Sequence, residues 1–236
     1  MKFHAPNQRV YPPRVVGAVT NWETWCRLCS SDEQADCDIV ELRVDALPES
    51  ITADEILASA CPKPVLLTLR HESEGGHRRH WNEADRLALA LKLLPMASLI
   101  DWEIARLRDA GELLSEAKKR GVTIIGSGHD FRFTPAVSTL LALEDRGRRA
   151  GIDVAKFAFR LNCADDLPVG CELLEAARGP MALMGMGDLG PTSRLLYAQM
   201  GSCLVYGYLG SRPSAPGQWP ADEFRRALGM LSAFES

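Results

Sequence analysis

His129, in Ile125-Gly-Ser-Gly-His-Asp-Phe131, and Lys156, in Ile152-Asp-Val-Ala-Lys-Phe-Ala-Phe159, lie 27 positions apart. Each sits near the end of a short apolar run, and the chain between them reads as a helix. An amine set between Ala155 and Phe157 is costly to keep charged, because desolvation disfavours the ammonium form. Such an amine attacks carbonyl carbon and forms a Schiff base. A histidine beside it can move protons at neutral pH. Taken alone, the two residues are better read as a lysine reaching out from a strand end and a histidine capping a turn. Their surroundings have to decide.

Ionisable residues recur at the ends of other apolar runs. Glu41-Leu-Arg43-Val-Asp45 alternates so that its three charged residues share one face. Thr68-Leu-Arg70 is followed by Glu74-Gly-Gly76, Asp101 and Glu103 alternate in the next run, and Ser193-Arg194 follows a later one. Singly, each has a structural reading. Arg43 and Glu41 form an interior ion pair, Arg70 and Glu74 a surface bridge, Asp101 and Glu103 an internal network, and Ser193 the start of a helix. Together they place charge at seven run ends, which favours a polar site for a small anionic molecule. The stretch Gly210-Ser-Arg-Pro-Ser-Ala-Pro-Gly-Gln218, rich in helix breakers and small residues, reads as a shaped lid over it.

The elements that must hold these residues follow from pattern. Eight nearly continuous apolar runs occur at Arg14–Thr20, Ile39–Asp45, Val65–Arg70, Leu99–Ile104, Val122–Ser127, Asp153–Phe159, Met181–Gly187 and Cys203–Tyr208. Continuous rather than alternating apolarity is expected of parallel strands covered on both faces. Helical patterns lie between them, clearest at Glu83–Leu94, Arg106–Arg120 with Gly121 as its C-cap, Thr134–Ala150 and Ala221–Phe234. Eight strand–helix units give the α/β class and a single (β/α)8 TIM barrel over residues 1–236, with an open doubly wound sheet as the competitor. Residues 1–13, polar and proline-bearing, read as an N-terminal arm on the barrel's bottom. In such a barrel the functional residues belong at the C-terminal strand ends, where these charges collect.

Composition excludes several classes. The 236 residues are 46% hydrophobic and 25% charged with a net charge of -4, dispersed, and no basic stripe suggests nucleic acid. No run approaches the length of a membrane helix, and the first residues lack a signal peptide's apolar core. Seven irregularly spaced cysteines fit free thiols in a reducing cytoplasm. Cys26-x-x-Cys29 is half of a zinc or redox site with no second half. Gly185-Met-Gly187-Asp-Leu-Gly190 matches a dinucleotide fingerprint but lies in the seventh unit, without the acidic residue for a ribose. Its glycines are better read as letting Arg194 and backbone amides approach an anion. His77-Arg-Arg-His80 carries two cations between its histidines and reads as a mobile charged loop rather than a metal pair.

Taken together, Glu41-x-Arg43-x-Asp45, Arg70 with Glu74-Gly-Gly76, Ser127-x-His129-Asp-Phe131, Lys156, Met184-Gly-x-x-x-x-Gly190-x-x-Ser193-Arg194 and Ser214-Ala-Pro-Gly-Gln218 resemble the type I 3-dehydroquinate dehydratases. The resemblance spans about residues 15 to 225 and keeps the family's motif order. It implies a barrel lyase of the shikimate pathway, usually a homodimer, acting on 3-dehydroquinate with neither metal nor cofactor. By motif, Lys156 resembles the Schiff-base lysine, His129 the general acid/base, and Glu74 the carboxylate that orients it. Arg194, Ser214 and Gln218 resemble the clamp on the substrate carboxylate, with Glu41, Arg43 and Arg70 around the ring hydroxyls. Three departures stand out. The N-terminal arm is short for the family's closing hairpin, the Lys156–Arg194 spacing is short, and Val205-Tyr206-Gly207-Tyr208 carries tyrosines where Thr-Phe-Gly is usual. A class I aldolase-type barrel also places a Schiff-base lysine on strand six, but prefers a phosphate and predicts no such lid. A non-catalytic quinate- or shikimate-sensing barrel predicts loss of Lys156 or His129, and both are present.

Overall fold

The computed structural model describes residues 1–5, 12–30, 35–78, 81–211, 213, 215 and 217–232. The eight apolar runs form the strands β1 (Arg14–Val19), β2 (Ile39–Arg43), β3 (Val65–Thr68), β4 (Leu99–Glu103), β5 (Thr123–Asp130), β6 (Val154–Arg160), β7 (Met181–Met186) and β8 (Leu204–Tyr208). The helices that follow them are α1 (Trp22–Ser30), α2 (Ala53–Ala58), α3 (Glu83–Leu93), α4 (Gly111–Lys119), α5 (Val137–Ala150), α6 (Leu167–Ala176), α7 (Gly190–Gln199) and α8 (Ala221–Ser232). The strands pair in parallel in the order β7-β6-β5-β4-β3-β2-β1-β8. First and last strands therefore meet, with Arg14 opposite Leu204 and Ala18 opposite Tyr208. That pairing makes the sheet a TIM barrel, since a doubly wound sheet leaves its outer strands apart.

The barrel is not laddered all the way round. Between β7 and β8 the join is made by Cys203 N–H, which donates to Met181 O at 2.8 Å, and by the buried Ser202 hydroxyl. That hydroxyl accepts from Leu183 N–H and donates to Leu204 O, both at 2.9 Å. One side chain does there what a run of backbone bonds does elsewhere.

Local boundaries differ from the sequence pattern for identifiable reasons. β5 runs on through Asp130, so His129 is on the strand itself, opposite Ala158. Asp45 lies beyond β2 in a 3₁₀ turn, Val44–Ala46. The segment Arg106–Arg120 is not one helix. Ile104–Asp109 is 3₁₀, a pitch that stacks Ile104 over Leu107 into the core, and α4 starts afresh at Gly111. Pro135 keeps Thr134 out of helical conformation, and α5 begins only at Val137. Phe234, the expected end of α8, is outside the described residues.

Apolar side chains fall into two clusters. The larger lies between sheet and helices; the smaller fills the barrel's lower interior with Val16, Ile39, Leu66, Leu99, Ile125, Val154, Ala182 and Leu204. Phe3 packs against this inner floor, with the Arg14 guanidinium 5.4 Å from its ring centre. The charged side chains of Glu41, Asp101 and Lys156 stand above that floor. Replacing Ser202 with alanine should leave Leu183 N–H and Leu204 O unpaired and lower stability by about 1–3 kcal/mol in urea unfolding. No loss would mean that the seam is held by backbone alone.

Candidate active site

Interior side chains of a TIM barrel stand in layers of four, supplied by alternate strands. Immediately above the apolar floor, the even-numbered strands supply Glu41, Asp101, Lys156 and Tyr206. Lys156 Nζ lies 2.8 Å from Asp101 Oδ2, 3.7 Å from Glu41 Oε1 and 4.1 Å from the centre of the Tyr206 ring. Ala155 and Phe157, whose apolarity suggested a desolvated amine, face the helices on the other side of the strand. The lysine is buried in an ion pair rather than in an apolar slot.

Arg70 ties this layer to the one above. It meets Asp101 Oδ2 at 2.8 Å, Glu103 Oε1 at 3.0 Å and the Ser127 hydroxyl at 2.6 Å, while that hydroxyl donates to Asp101 Oδ1 at 2.6 Å. Burial would raise Asp101, but Arg70 and Lys156 beside it hold its carboxyl well below the usual range. Glu103 is held in turn by Arg86 at 2.6 Å. Arg70 is thus no surface partner of Glu74, and Arg43 pairs with Asp45 at 2.8 Å rather than with Glu41, which accepts instead from Thr68. Arg43 leans outward because Asp45, displaced into its 3₁₀ turn, offers both oxygens to the guanidinium.

His129 faces the same space from β5. Its backbone N–H and its Nδ1 both meet Glu74 Oε2, at 3.1 and 2.9 Å. An oxygen that already accepts one N–H is the acceptor for the other, which puts the ring proton on Nδ1 and leaves the Nε2 lone pair free. Burial, then Arg70 and Lys156, push His129 well below its usual value, so the ring is neutral at pH 7. Burial pushes Glu74 up to about 7. Glu74 ends a 3₁₀ turn at Gly75, whose φ is +87° and where a Cβ would come 2.6 Å from the Phe131 ring. That glycine lets Phe131 lie against the carboxylate turn, beside the His129 ring.

Arg194 completes the cavity from α7. It is buried and donates to Tyr206 O at 3.1 Å, its Nε finds no partner, and among the described residues no carboxylate pairs with it. Burial alone pulls it down to about 10. Lys156, His129, Glu74, Glu41, Arg43, Arg70, Arg194, Tyr206, Ala215 and Gln218 all line one cavity of about 100 Å³. Ser214 and Arg212 lie outside the described residues. The end of the segment expected to be a lid is seated: Trp219 Nε1 donates to Pro191 O, and the Cα of Gly217 fills the space a Cβ on Gly190 would take.

Known proteins resemble this chain in sequence and in fold. The family model described as type I 3-dehydroquinase matches residues 22–235. The chain belongs to that family. A 3-dehydroquinate dehydratase of Methanocella arvoryzae is 33% identical over 233 residues, covering 94% of this chain and 98% of its own. One from Geobacillus kaustophilus is 33% identical, covering 84% of this chain and 81% of its own. The crystal structure of 3-dehydroquinate dehydratase from Geobacillus kaustophilus superposes with a TM-score of 0.83 at 27% identity, over 96% of this chain and 93% of that one. The type I enzyme from Clostridium difficile, with covalently modified comenic acid, gives 0.81 at 25% identity over 94% and 93%. An aldolase from Escherichia coli, 12% identical with a TM-score of 0.51, shares the fold alone.

The other motifs of the sequence have structural surroundings of their own. Gly185 and Gly190 serve packing: the Ser193 hydroxyl accepts from Gly185 N–H and donates to Gly190 O, bracing the turn that the lid's end rests on. His77 and Arg78 are tethered, the first to Asp45 at 3.3 Å and the second to Leu47 O and the Trp81 ring; His80 is outside the described residues. Cys29 neighbours Cys61 rather than closing on Cys26, and burial pushes it up to about 11. No group of three or more His, Cys, Asp or Glu among the described residues could hold a metal ion. Sequence reasoning passed over Arg86, a helix residue with no visible motif, and treated Tyr206 as packing although its alternation with Leu204 points it inward.

Glu74 gives a stability prediction with a definite sign. Its folded value, about 7 against an ordinary 4.5, favours the protonated chain, so stability should fall as pH rises from about 4.5 through 7. Glu74→Gln, neutral throughout, should flatten that slope and be the more stable protein above pH 7, by up to about 3 kcal/mol. Thermal unfolding across pH 4–9 measures it, and parallel curves would place the buried proton elsewhere.

Proposed function

We propose that this chain catalyses the reversible dehydration of 3-dehydroquinate to 3-dehydroshikimate through a Schiff base on Lys156. The observation that carries the reading is that an amine, a neutral histidine and a buried guanidinium with no carboxylate partner among the described residues line the same cavity. A carboxylate supplies the charge that Arg194 lacks, and Gln218 and Ser214 close around it, Ser214 by resemblance alone. Glu41, Arg43 and Arg70 serve the ring hydroxyls.

Binding in this pose sets the substrate ketone against Nζ. Lys156 sheds a proton toward Glu41, 3.7 Å away and not paired with an arginine among the described residues. The amine adds to the ketone carbon, water leaves, and the resulting iminium draws electrons from the adjacent carbon. His129 Nε2 takes the proton from that carbon, giving an enamine. The same nitrogen then returns its proton to the departing hydroxyl, so proton and hydroxyl leave from one face. Water hydrolyses the unsaturated imine and frees the lysine. Glu74 keeps the imidazole in the tautomer that both transfers need. In the family's habit the protein works as a cytoplasmic homodimer; no described helix is long and apolar enough to cross a membrane.

Borohydride reduction with substrate present, followed by peptide mass spectrometry, should place the adduct on Lys156. Lys156→Arg, which keeps the cation beside Asp101 and Glu41, should lose adduct and turnover together. An adduct persisting in that variant would move the imine to another lysine. His129→Ala should form and accumulate the adduct while turnover falls by a factor on the order of 10²–10⁴. Failure of the adduct to form there would make His129 an imine-assembly residue instead.

Arg194→Gln should raise KM strongly with a smaller fall in kcat, because it removes binding shared by ground and transition states. Steady-state kinetics decide this, and a loss confined to kcat would contradict the clamp.

A further inference from the structure

One member of the layer around Lys156 has neither a hydrogen-bond partner for its side chain among the described residues nor a role in the steps above. Tyr206, on β8, is buried among charged neighbours, and its ring centre lies 4.1 Å from Nζ. We infer that Tyr206 is a further residue of this reaction, its ring face holding the cation on the Lys156 nitrogen and so keeping the imine in its protonated, electron-withdrawing form. The inference rests on the Schiff-base reading and adds to it a role for the fourth wall of the layer.

The reason lies in how many hydrogens the nitrogen keeps. As an ammonium, Lys156 has three N–H donors, enough for Asp101 and Glu41 together. As an iminium it has one. Asp101 is already engaged on both oxygens, by the Ser127 hydroxyl and by Arg70, so it cannot turn to follow a nitrogen that has been drawn toward substrate. A ring face needs no hydrogen. Its negative quadrupole attracts the charge however the nitrogen is substituted, and more strongly where water is excluded. The ring's share of the stabilisation therefore grows at the step where the carboxylates' share shrinks. A neutral imine, the alternative, draws electrons too weakly to acidify the neighbouring carbon.

The surroundings suit this role. Burial, then Glu41 and Asp101, push the Tyr206 phenol well above its usual value, so the side chain is a neutral ring. The charged groups nearest the nitrogen are Asp101 from β4, Glu41 from β2 and, through Asp101, Arg70 after β3; Arg43 from β2, Glu74 after β3, His129 from β5 and Arg194 from α7 line the same cavity. Arg194 reaches Tyr206 through its backbone oxygen, so side-chain substitution leaves that bond in place. Phenylalanine differs from tyrosine only by the hydroxyl, which makes ring and hydroxyl separable.

The test compares Tyr206→Phe, which keeps the face, with Tyr206→Leu and Tyr206→Met, which remove it. Each is assayed for kcat, KM and borohydride trapping against pH, after circular dichroism and urea unfolding have shown a folded chain. Losing the face destabilises the cation, so the alkaline limit of trapping should move to lower pH, by about half to one and a half units. kcat should fall about 3- to 30-fold with KM little changed, while Tyr206→Phe stays within about twofold of the native protein. Met, flexible enough to fill the vacated space, guards against collapse around leucine. An unmoved alkaline limit in both face-removing variants overturns the inference. So does a Tyr206→Phe loss as large as theirs, which would give the role to the hydroxyl. Absence of any adduct at Lys156 in the native protein is a different failure, and sinks the Schiff-base reading itself.

Discussion

An amine cannot sit unpaired on an apolar floor, and the rest of the barrel's upper half follows from that. Lys156 requires Asp101; Asp101, buried, requires Arg70; Arg70 requires Glu103; Glu103 requires Arg86, which reaches Glu83 at the edge of α3. Charge alternates in sign from the barrel axis to its rim. Breaking a buried pair by removing one partner costs about 3–5 kcal/mol, so no link can be dropped without stranding the next. Arginine at the two inner links is a matter of shape. Arg70 presents one nitrogen to Asp101 and another to Glu103, and Arg86 does the same between Glu103 and Glu83 while lying 3.7 Å over the Trp102 ring. A lysine at either position could not span both carboxylates.

Set against that compensated chain, Arg194 is the exception. Among the described residues its charge is left open on the same cavity, a few residues from a turn whose geometry is fixed by Ser193 and by Gly217 packed against Gly190. Compensation on one side and deficit on the other divide the labour of the pocket. The lysine side has its charges balanced before anything binds. The arginine side acquires its balance only from a ligand, and so gives an anionic molecule both its affinity and its direction.

Strands and rim were legible because they depend on patterns that need no partner. Continuous apolar runs marked all eight strands, and acidic or basic residues at their ends marked the mouth. Pairing was less legible, since an ion pair is a property of two segments. Glu41 and Arg43 are neighbours on one face, yet Arg43 turns to Asp45 and Glu41 to Thr68 and Lys156. The apolar residues flanking Lys156 misdirected for the same reason: a strand shows its neighbours to the opposite face. Arg86 was invisible because a buried arginine on a helix reads as solvent-facing until its carboxylate is found on another element. Tyr206 was seen as a departure and read as bulk, because only the layer geometry brings β8 across to β6.

The pairing of Arg14–Ala18 with Leu204–Tyr208 joins segments almost the full length of the chain apart. Contacts of such separation form late, after loop entropy has been met by nearer ones. During synthesis the first seven strands therefore exist with two raw edges, of the kind that invite pairing with a neighbouring chain. They also exist without Tyr206 and without the β8 carbonyl that Arg194 binds. The lysine's layer gains its last member in the same event that pairs the β1 edge and covers that of β7. Competence to react and safety from aggregation arrive with a single strand, β8.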